Sequence, residues 1–346
     1  MKQKRILIVR QDRIGDVVLS TPIPKAIKKQ WPDSYLAVLV RNYTKSIYLN
    51  NPYVDEIILS EDVEWKGFGG FLKKVKFIRK FKFTHALMLL PSERINYLLF
   101  FAGIKTRVGV GYKFYQFITF VKSVSRHKYI PLKHEADYCM DLARKIGIKS
   151  NDLSTEIFLS ESEKIKLNEL RHKLVNDKKI LIGIHTTNGN SAPNLTEEDY
   201  LHLIKKLQNY SYFKLVITDN AIPKKLQNIE GVEYPNVGLE LRKTILNIAS
   251  LDCLISSSTG PMHIAAALKV KTISLFCPLT ACSPKLWGPS GNINKIILPE
   301  DNYCEIKCPG DPKVCKYKGE SELMIDKIIY SLNEFFNNYP FFNSDI

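Results

Sequence analysis

The chain has 346 residues, 45% hydrophobic and 25% charged, which is ordinary for a globular protein and too long for one core, so about two α/β domains are expected. Fifty lysines and arginines against 35 acids leave a formal charge of +15, which suits nucleic acid, anionic lipid or a phosphorylated glycolipid, or else a well-solvated lysine-rich surface. No run approaches the ~18 apolar residues of a membrane span, the N-terminus lacks signal-peptide features, and seven cysteines without a regular framework suggest reduced thiols in the cytosol.

Residues 5–10 (RILIVR) predict a buried strand, and a helix is expected to open at Thr21-Pro22, where proline presets the first helical dihedral. The intervening loop, residues 11–20 (QDRIGDVVLS), lies where open parallel sheets take ligands. In it Gly15 would permit a tight turn and Asp16 would present a carboxylate suited to a general base. Asp16 could equally cap the next helix or pair with Arg10 or Arg13.

Strands follow at 35–40, 56–59 and 85–90 with a helix over 94–102, the βαβ repetition of a parallel sheet covered on both faces. Between them, residues 65–83 are basic and aromatic, with Phe68, Phe71, Leu72, Val75 and Ile78 at helical spacing. Such a helix could lie on an anionic leaflet through Lys73, Lys74, Lys76 and Arg79, or its apolar stripe could pack on the sheet. His134 opens a further helical stretch and could reach a ligand cleft or simply start a surface helix.

After a charged helical segment at 161–177, strands at 180–185, 214–218, 253–256 and 272–276 define a second α/β series. We place the domains at 1–165 and 166–320, with a closing helix within 321–346 that could return to the first domain. The loop 256–263 (SSSTGPMH) offers hydroxyls from Ser257, Ser258 and Thr259, a close approach at Gly260 and Pro261 in a first helical turn. Free amides and the helix dipole there would suit a diphosphate, with His263 adding a hydrogen bond; an ordinary capped helix is the alternative. No G-x-G-x-x-G and no P-loop occurs, which argues against a dinucleotide oxidoreductase or a P-loop NTPase. Zinc-finger, RNP and helix-turn-helix signatures are also missing, so nucleic acid is not an expected partner. Cys304, Cys308 and Cys315 match no standard metal spacing.

The segments RILIVRQDRIGDVVLSTP (5–22), GIKTRVGV (103–110), SSSTGPMHIAAAL (256–268) and WGP (287–289) together resemble glycosyltransferase family 9, the heptosyltransferase family. The resemblance implies an α/β protein of GT-B type, with two Rossmann-like domains facing across a cleft, acceptor on the N-terminal side and nucleotide-sugar on the C-terminal side. It implies Asp16 as the base, a basic contribution from Arg10, and no metal or other cofactor. The nucleotide-sugar would be held by Ser258, Thr259, Gly260, Met262 and His263, completed by Thr186 and Thr187 after the strand ending at His185.

On this resemblance the expected reaction is inverting transfer of a heptose from ADP-heptose to a lipid A-linked core acceptor, by an enzyme peripheral to the cytoplasmic face of the inner membrane. The sequence departs from the family at Pro193 and Leu195, where many members carry a basic residue and a tryptophan. It also departs at Asn220-Ala221, where an acidic residue often lies near the nucleoside, and Ser258 replaces an acidic residue of some members. A different nucleotide-sugar donor, or a binding protein without catalysis, therefore remains an alternative.

Overall fold

The computed structural model describes residues 3–61, 66–126, 129–175 and 179–337. The chain divides into two compact units, Met1–Phe158 and Leu159–Ile346. In the first, β1 (Arg5–Val9), β2 (Tyr35–Val40), β3 (Glu56–Leu59), β4 (His85–Met88), β5 (Thr106–Val110) and β6 (Lys122–Val124) form one parallel sheet ordered β3-β2-β1-β4-β5-β6. Its helices are α1 (Ile14–Val18), α2 (Pro22–Gln30), α3 (Gly67–Lys80), α4 (Glu93–Phe101), α5 (Phe114–Ile118) and α6 (Glu135–Arg144). The central strands carry apolar runs, such as residues 6–9 of β1 and 36–40 of β2, because helices cover both faces of a parallel sheet. Leu7, Val9, Ala37, Leu39 and Ile58 pack on Val75, Ile78 and Leu98 to make one side of this core.

The second unit repeats the plan. It contains α7 (Glu161–Leu174), β7 (Ile180–His185), α8 (Glu197–Gln208), β8 (Phe213–Ile217), β9 (Val232–Glu233), α9 (Leu241–Ala249) and β10 (Cys253–Ser257). Then come α10 (Gly260–Ala267), β11 (Lys271–Leu275), α11 (Pro284–Trp287), β12 (Asn294–Ile297), α12 (Tyr303–Ile306) and α13 (Ser321–Phe336). The sheet order is β12-β11-β10-β7-β8-β9, again wholly parallel. In both sheets the strand order thus reverses between two central parallel strands, β1 and β4 in one, β7 and β10 in the other, which is where such sheets open a crevice for ligands.

The α/β class with two doubly wound sheets is as expected. The units part between Phe158 and Leu159, a few residues before the expected 165/166 boundary, because α7 packs on α9 and is tied to it by Glu163, which accepts two hydrogen bonds from Arg242 (2.7 and 2.6 Å). Helix α13 buries Met324, Ile325, Ile328, Leu332 and Phe336 in the core of the second unit; residues 338–346 lie outside the described residues.

A correction concerns Lys74. The basic helix exists as α3, but its stripe packs inward through Val75 and Ile78, leaving Phe68 and Leu72 exposed. Lys74 lies on that inner face, 1% exposed, its ammonium donating to the carbonyls of Leu59 and Ser60 (both 3.1 Å). An ammonium can be buried when fixed carbonyl dipoles replace its water. It therefore belongs to no surface patch, whereas Lys73, Lys76 and Arg79 are exposed. Trp65 lies outside the described residues.

Candidate active site

Strand β1 delivers Arg10 at its carboxyl end, and folding buries that guanidinium almost completely. A buried arginine requires acceptors. Arg10 donates to Asp16 Oδ1 (2.8 Å), Glu135 Oε1 (3.2 Å) and the Leu89 carbonyl (3.1 Å), and its Nε lies 2.9 Å from Asp12 Oδ1. Glu135, the buried first residue of α6, also accepts two bonds from Arg126 (2.7 and 2.9 Å). Three carboxylates thus meet two guanidiniums.

That excess of negative charge, out of water, raises proton affinity. Burial pushes the Asp16 carboxyl above its ordinary range; Arg10 opposes the rise and Glu135 adds to it. Asp12 moves up to about 6, chiefly through burial, with Arg10 again opposing. The Asp16 side chain keeps 20% of its exposure, so a ligand hydroxyl can reach it. The pairing with Arg10 considered from sequence is present, and it fixes the carboxylate instead of removing it from solvent.

Asp16 sits in the first turn of α1, an additional short helix that was not expected, while the helix expected to open at Thr21-Pro22 is α2, with Thr21 as its N-cap. Gly15 is consequently in helical backbone and not in the left-handed region, which corrects its assignment as a tight-turn residue. Arg13 is exposed at the N-cap of the same helix. His134 caps α6, its Nδ1 accepting from the Ala136 amide (3.3 Å).

In the second unit, Thr259 is the N-cap of α10 and its side chain makes no capping bond. The hydroxyls of Ser256, Ser257 and Thr259 are buried without a hydrogen-bond partner. Buried hydroxyls are rarely left so, and here they accompany the Gly260 and Met262 amides, which a helix's first turn leaves unpaired. Ser258 is half-buried beside them. Met262 is wholly buried, so only its backbone could meet a ligand, and the His263 ring is buried in the same turn.

The loop after β7 is organised by Asp219, a fully buried residue that sequence reasoning passed over. Its Oδ2 accepts from the Thr186 amide (2.8 Å) and hydroxyl (2.9 Å), and its Oδ1 from the Thr187 amide (2.8 Å) and hydroxyl (2.5 Å). Thr186 and Thr187, expected to complete the nucleotide-sugar site, are engaged as donors to Asp219 in shaping the loop. Next to them burial lowers the proton affinity of His185, with Asp219 opposing, and its Nδ1 lies 3.1 Å from the Thr218 hydroxyl.

Beyond the threonines opens a cavity of about 550 Å³ lined by Thr187, Asn188, Asn194, Tyr200, Lys225 and Lys316. Lys225 is held by Glu198, while Lys316 is exposed on a distant loop and brings positive charge to a pocket whose own loop carries Pro193 instead of a basic residue. Pro193 and Leu195 are buried. Asn220 turns its amide to the carbonyls of Asn236 (3.1 Å) and Leu239 (2.8 Å). Cys304, Cys308 and Cys315 pack against the core, and no group of three or more His, Cys, Asp or Glu among the described residues is arranged to hold a metal ion.

A family model described as glycosyltransferase family 9 (heptosyltransferase) matches residues 72–313. A putative glycosyltransferase of Haemophilus influenzae is 27% identical over 85% of this chain and 88% of its own length. The glycosyl transferase family 9 structure from Veillonella parvula superposes with a TM-score of 0.78 at 19% identity, covering 97% of each chain. The structure of Escherichia coli ADP-heptose lps heptosyltransferase II gives a TM-score of 0.67 at 18% identity, over 94% of this chain and 99% of the other.

Proposed function

Because the chain belongs to glycosyltransferase family 9 and is a glycosyltransferase, we propose that it transfers a heptose from ADP-heptose to a lipid-linked core oligosaccharide, with inversion at the anomeric carbon. The observation that carries this reading is Asp16, a solvent-reachable carboxylate of raised proton affinity held by a buried arginine at the mouth of the first sheet. The acceptor hydroxyl gives its proton to that carboxylate as its oxygen bonds to the anomeric carbon. The bond from that carbon to the diphosphate breaks, and ADP leaves with the electron pair. A positioned base contributes about a hundred- to ten-thousand-fold to such a step.

The departing diphosphate is assigned to the α10 turn, where hydroxyls without partners and unpaired amides favour an anion without rearranging. Arg10 contributes by holding Asp16. Thr186 and Thr187 act through the loop that Asp219 fixes. The exposed Lys73, Lys76 and Arg79 of α3 favour an anionic membrane surface, in keeping with a lipid-linked acceptor at the inner face of the inner membrane. Among the described residues no helix is long and apolar enough to cross a membrane.

Incubation of the purified enzyme with a panel of nucleotide-sugars tests the donor. Stabilisation of the native state by ADP-heptose alone, together with a heptose-sized mass gain on a lipid-linked acceptor, is the expected result. A second reading, in which a different nucleotide-sugar is used, rests on Asn220, whose amide is engaged with its own loop where an acidic side chain would face the nucleoside. Stabilisation by another nucleotide-sugar and none by ADP-heptose selects it. No response to any of them overturns both donor readings.

A further inference from the structure

The segment joining β5 to β6 packs inside out. Gln116 of α5 is buried: its amide nitrogen donates to the Val110 carbonyl (3.0 Å) and its oxygen accepts from the Lys113 amide (2.9 Å). Thr119 is buried too, accepting from Asn96 Nδ2 (2.8 Å) and donating to the Tyr115 carbonyl (2.6 Å). Arg107 donates to the carbonyls of Ile104 and Thr119 from below. Gly109 makes room for this, since a Cβ there would lie 2.9 Å from Met88 Cε and 3.0 Å from Gln116 Nε2.

Polar side chains therefore lock the turn from within, and the apolar ones point to solvent. Tyr112, Phe114, Phe117 and Phe120 are 75%, 79%, 79% and 81% exposed, with Ile118 at 43%. An aqueous surface gives no reason to hold three phenylalanines out while burying a glutamine and a threonine. Aromatic side chains that protrude singly from a rigid turn suit a fluid boundary between water and hydrocarbon better than a preformed protein groove.

Charge selects the kind of surface. Glu93 is the sole acidic residue from Trp65 to His134, while Lys105, Lys113 and Lys122 are exposed around the aromatic turn. Helix α3, with Lys73, Lys76 and Arg79, packs on α4, and α4 packs on α5. A groove of about 710 Å³ between α3 and α4 is lined by Phe68, Phe71, Tyr97 and Phe101 together with Glu93 and Arg94.

We propose that residues 112–120 form an interfacial anchor that seats Phe114, Phe117 and Phe120 among the headgroups of an anionic bilayer, with the surrounding lysines facing the lipid phosphates. This rests on the reading of a membrane-bound acceptor and adds a contact that the α3 cations alone do not provide.

The test is sedimentation of the full chain with phosphatidylcholine vesicles, with and without phosphatidylglycerol. The wild type binds the anionic vesicles, and F114S/F117S/F120S lowers the partition coefficient at least about tenfold with an unchanged melting temperature, because these side chains lie outside the core. Phe117→Trp adds a fluorophore whose emission shifts to the blue on anionic vesicles and is quenched by brominated acyl chains beyond the wild-type response. If K73A/K76A/R79A abolishes binding while the phenylalanine variant binds like the wild type, the membrane reading stands and the anchor is overturned. If the wild type binds neither vesicle, both are overturned. A wild type that self-associates in ultracentrifugation, beside a monomeric phenylalanine variant of equal vesicle affinity, makes the turn a contact between copies and also overturns the anchor.

Discussion

The loops that leave β1 and β10 each lie at the reversal of a six-stranded sheet of the same order, yet they are built from opposite materials. The first gathers Arg10, Asp12, Asp16, Arg126 and Glu135, each bonded or ion-paired to another. The second offers the hydroxyls of Ser256, Ser257 and Thr259, buried and unpartnered, at a helix N-terminus. One architecture thus supports two kinds of chemistry. Crowded charge out of water tunes a proton acceptor, whereas unengaged dipoles form a ready cradle for an anion.

The sharpest way to break this contrast is Asp16→Asn. Turnover is expected to fall about a hundred- to ten-thousand-fold while ADP affinity, read by calorimetry, stays near wild type; near-normal turnover would remove Asp16 from the chemistry. Thr259→Val probes the other loop. It should weaken ADP binding about ten- to a hundredfold, the size of one hydrogen bond to a charged group, and leave the pH dependence of turnover unmoved. Asp219→Asn is expected to weaken ADP binding by about tenfold, because four donors of the Thr186-Thr187 pair lose a charged acceptor.

Smaller effects sharpen the charged side. Glu135→Gln removes a charge that raises the Asp16 proton affinity, so the acidic limb of kcat/KM should move to lower pH; a shift to higher pH would refute the electrostatic account. Asp12 has its folded value raised to about 6 from an ordinary 3.8, so its contribution to stability is full below the ordinary value and is lost as pH rises through about 6. Asp12→Asn should flatten that decline, by about 1–3 kcal/mol between pH 4 and 6.5 in denaturant titrations.

Strands were legible because buried parallel strands carry apolar runs, as in residues 6–9 and 180–184, and because the β1 and β10 loops follow them directly. Helix α1 was not, since its N-cap Arg13 makes no side-chain capping bond and nothing before Ile14 announces a start. Lys74 could have been placed correctly: it lies three residues after Phe71 and four before Ile78, on the buried stripe, and its charge concealed that spacing. Asp219 and Glu135 were invisible for a different reason. Thr186 lies 33 residues from Asp219 and Arg10 lies 125 from Glu135 in the chain, so only the folded sheets bring these pairs together. The inverted α5 is five residues long, too short for any periodicity to reveal which side faces in.

Each sheet has a hydrophobic core of its own, one around Leu7, Leu39 and Leu98, the other around Ile182, Leu203 and Ile328. Heat therefore need not melt the chain in a single cooperative step. In a scanning calorimeter, ADP added to this enzyme should lift the transition that belongs to the half carrying the α10 turn and leave the other endotherm where it was.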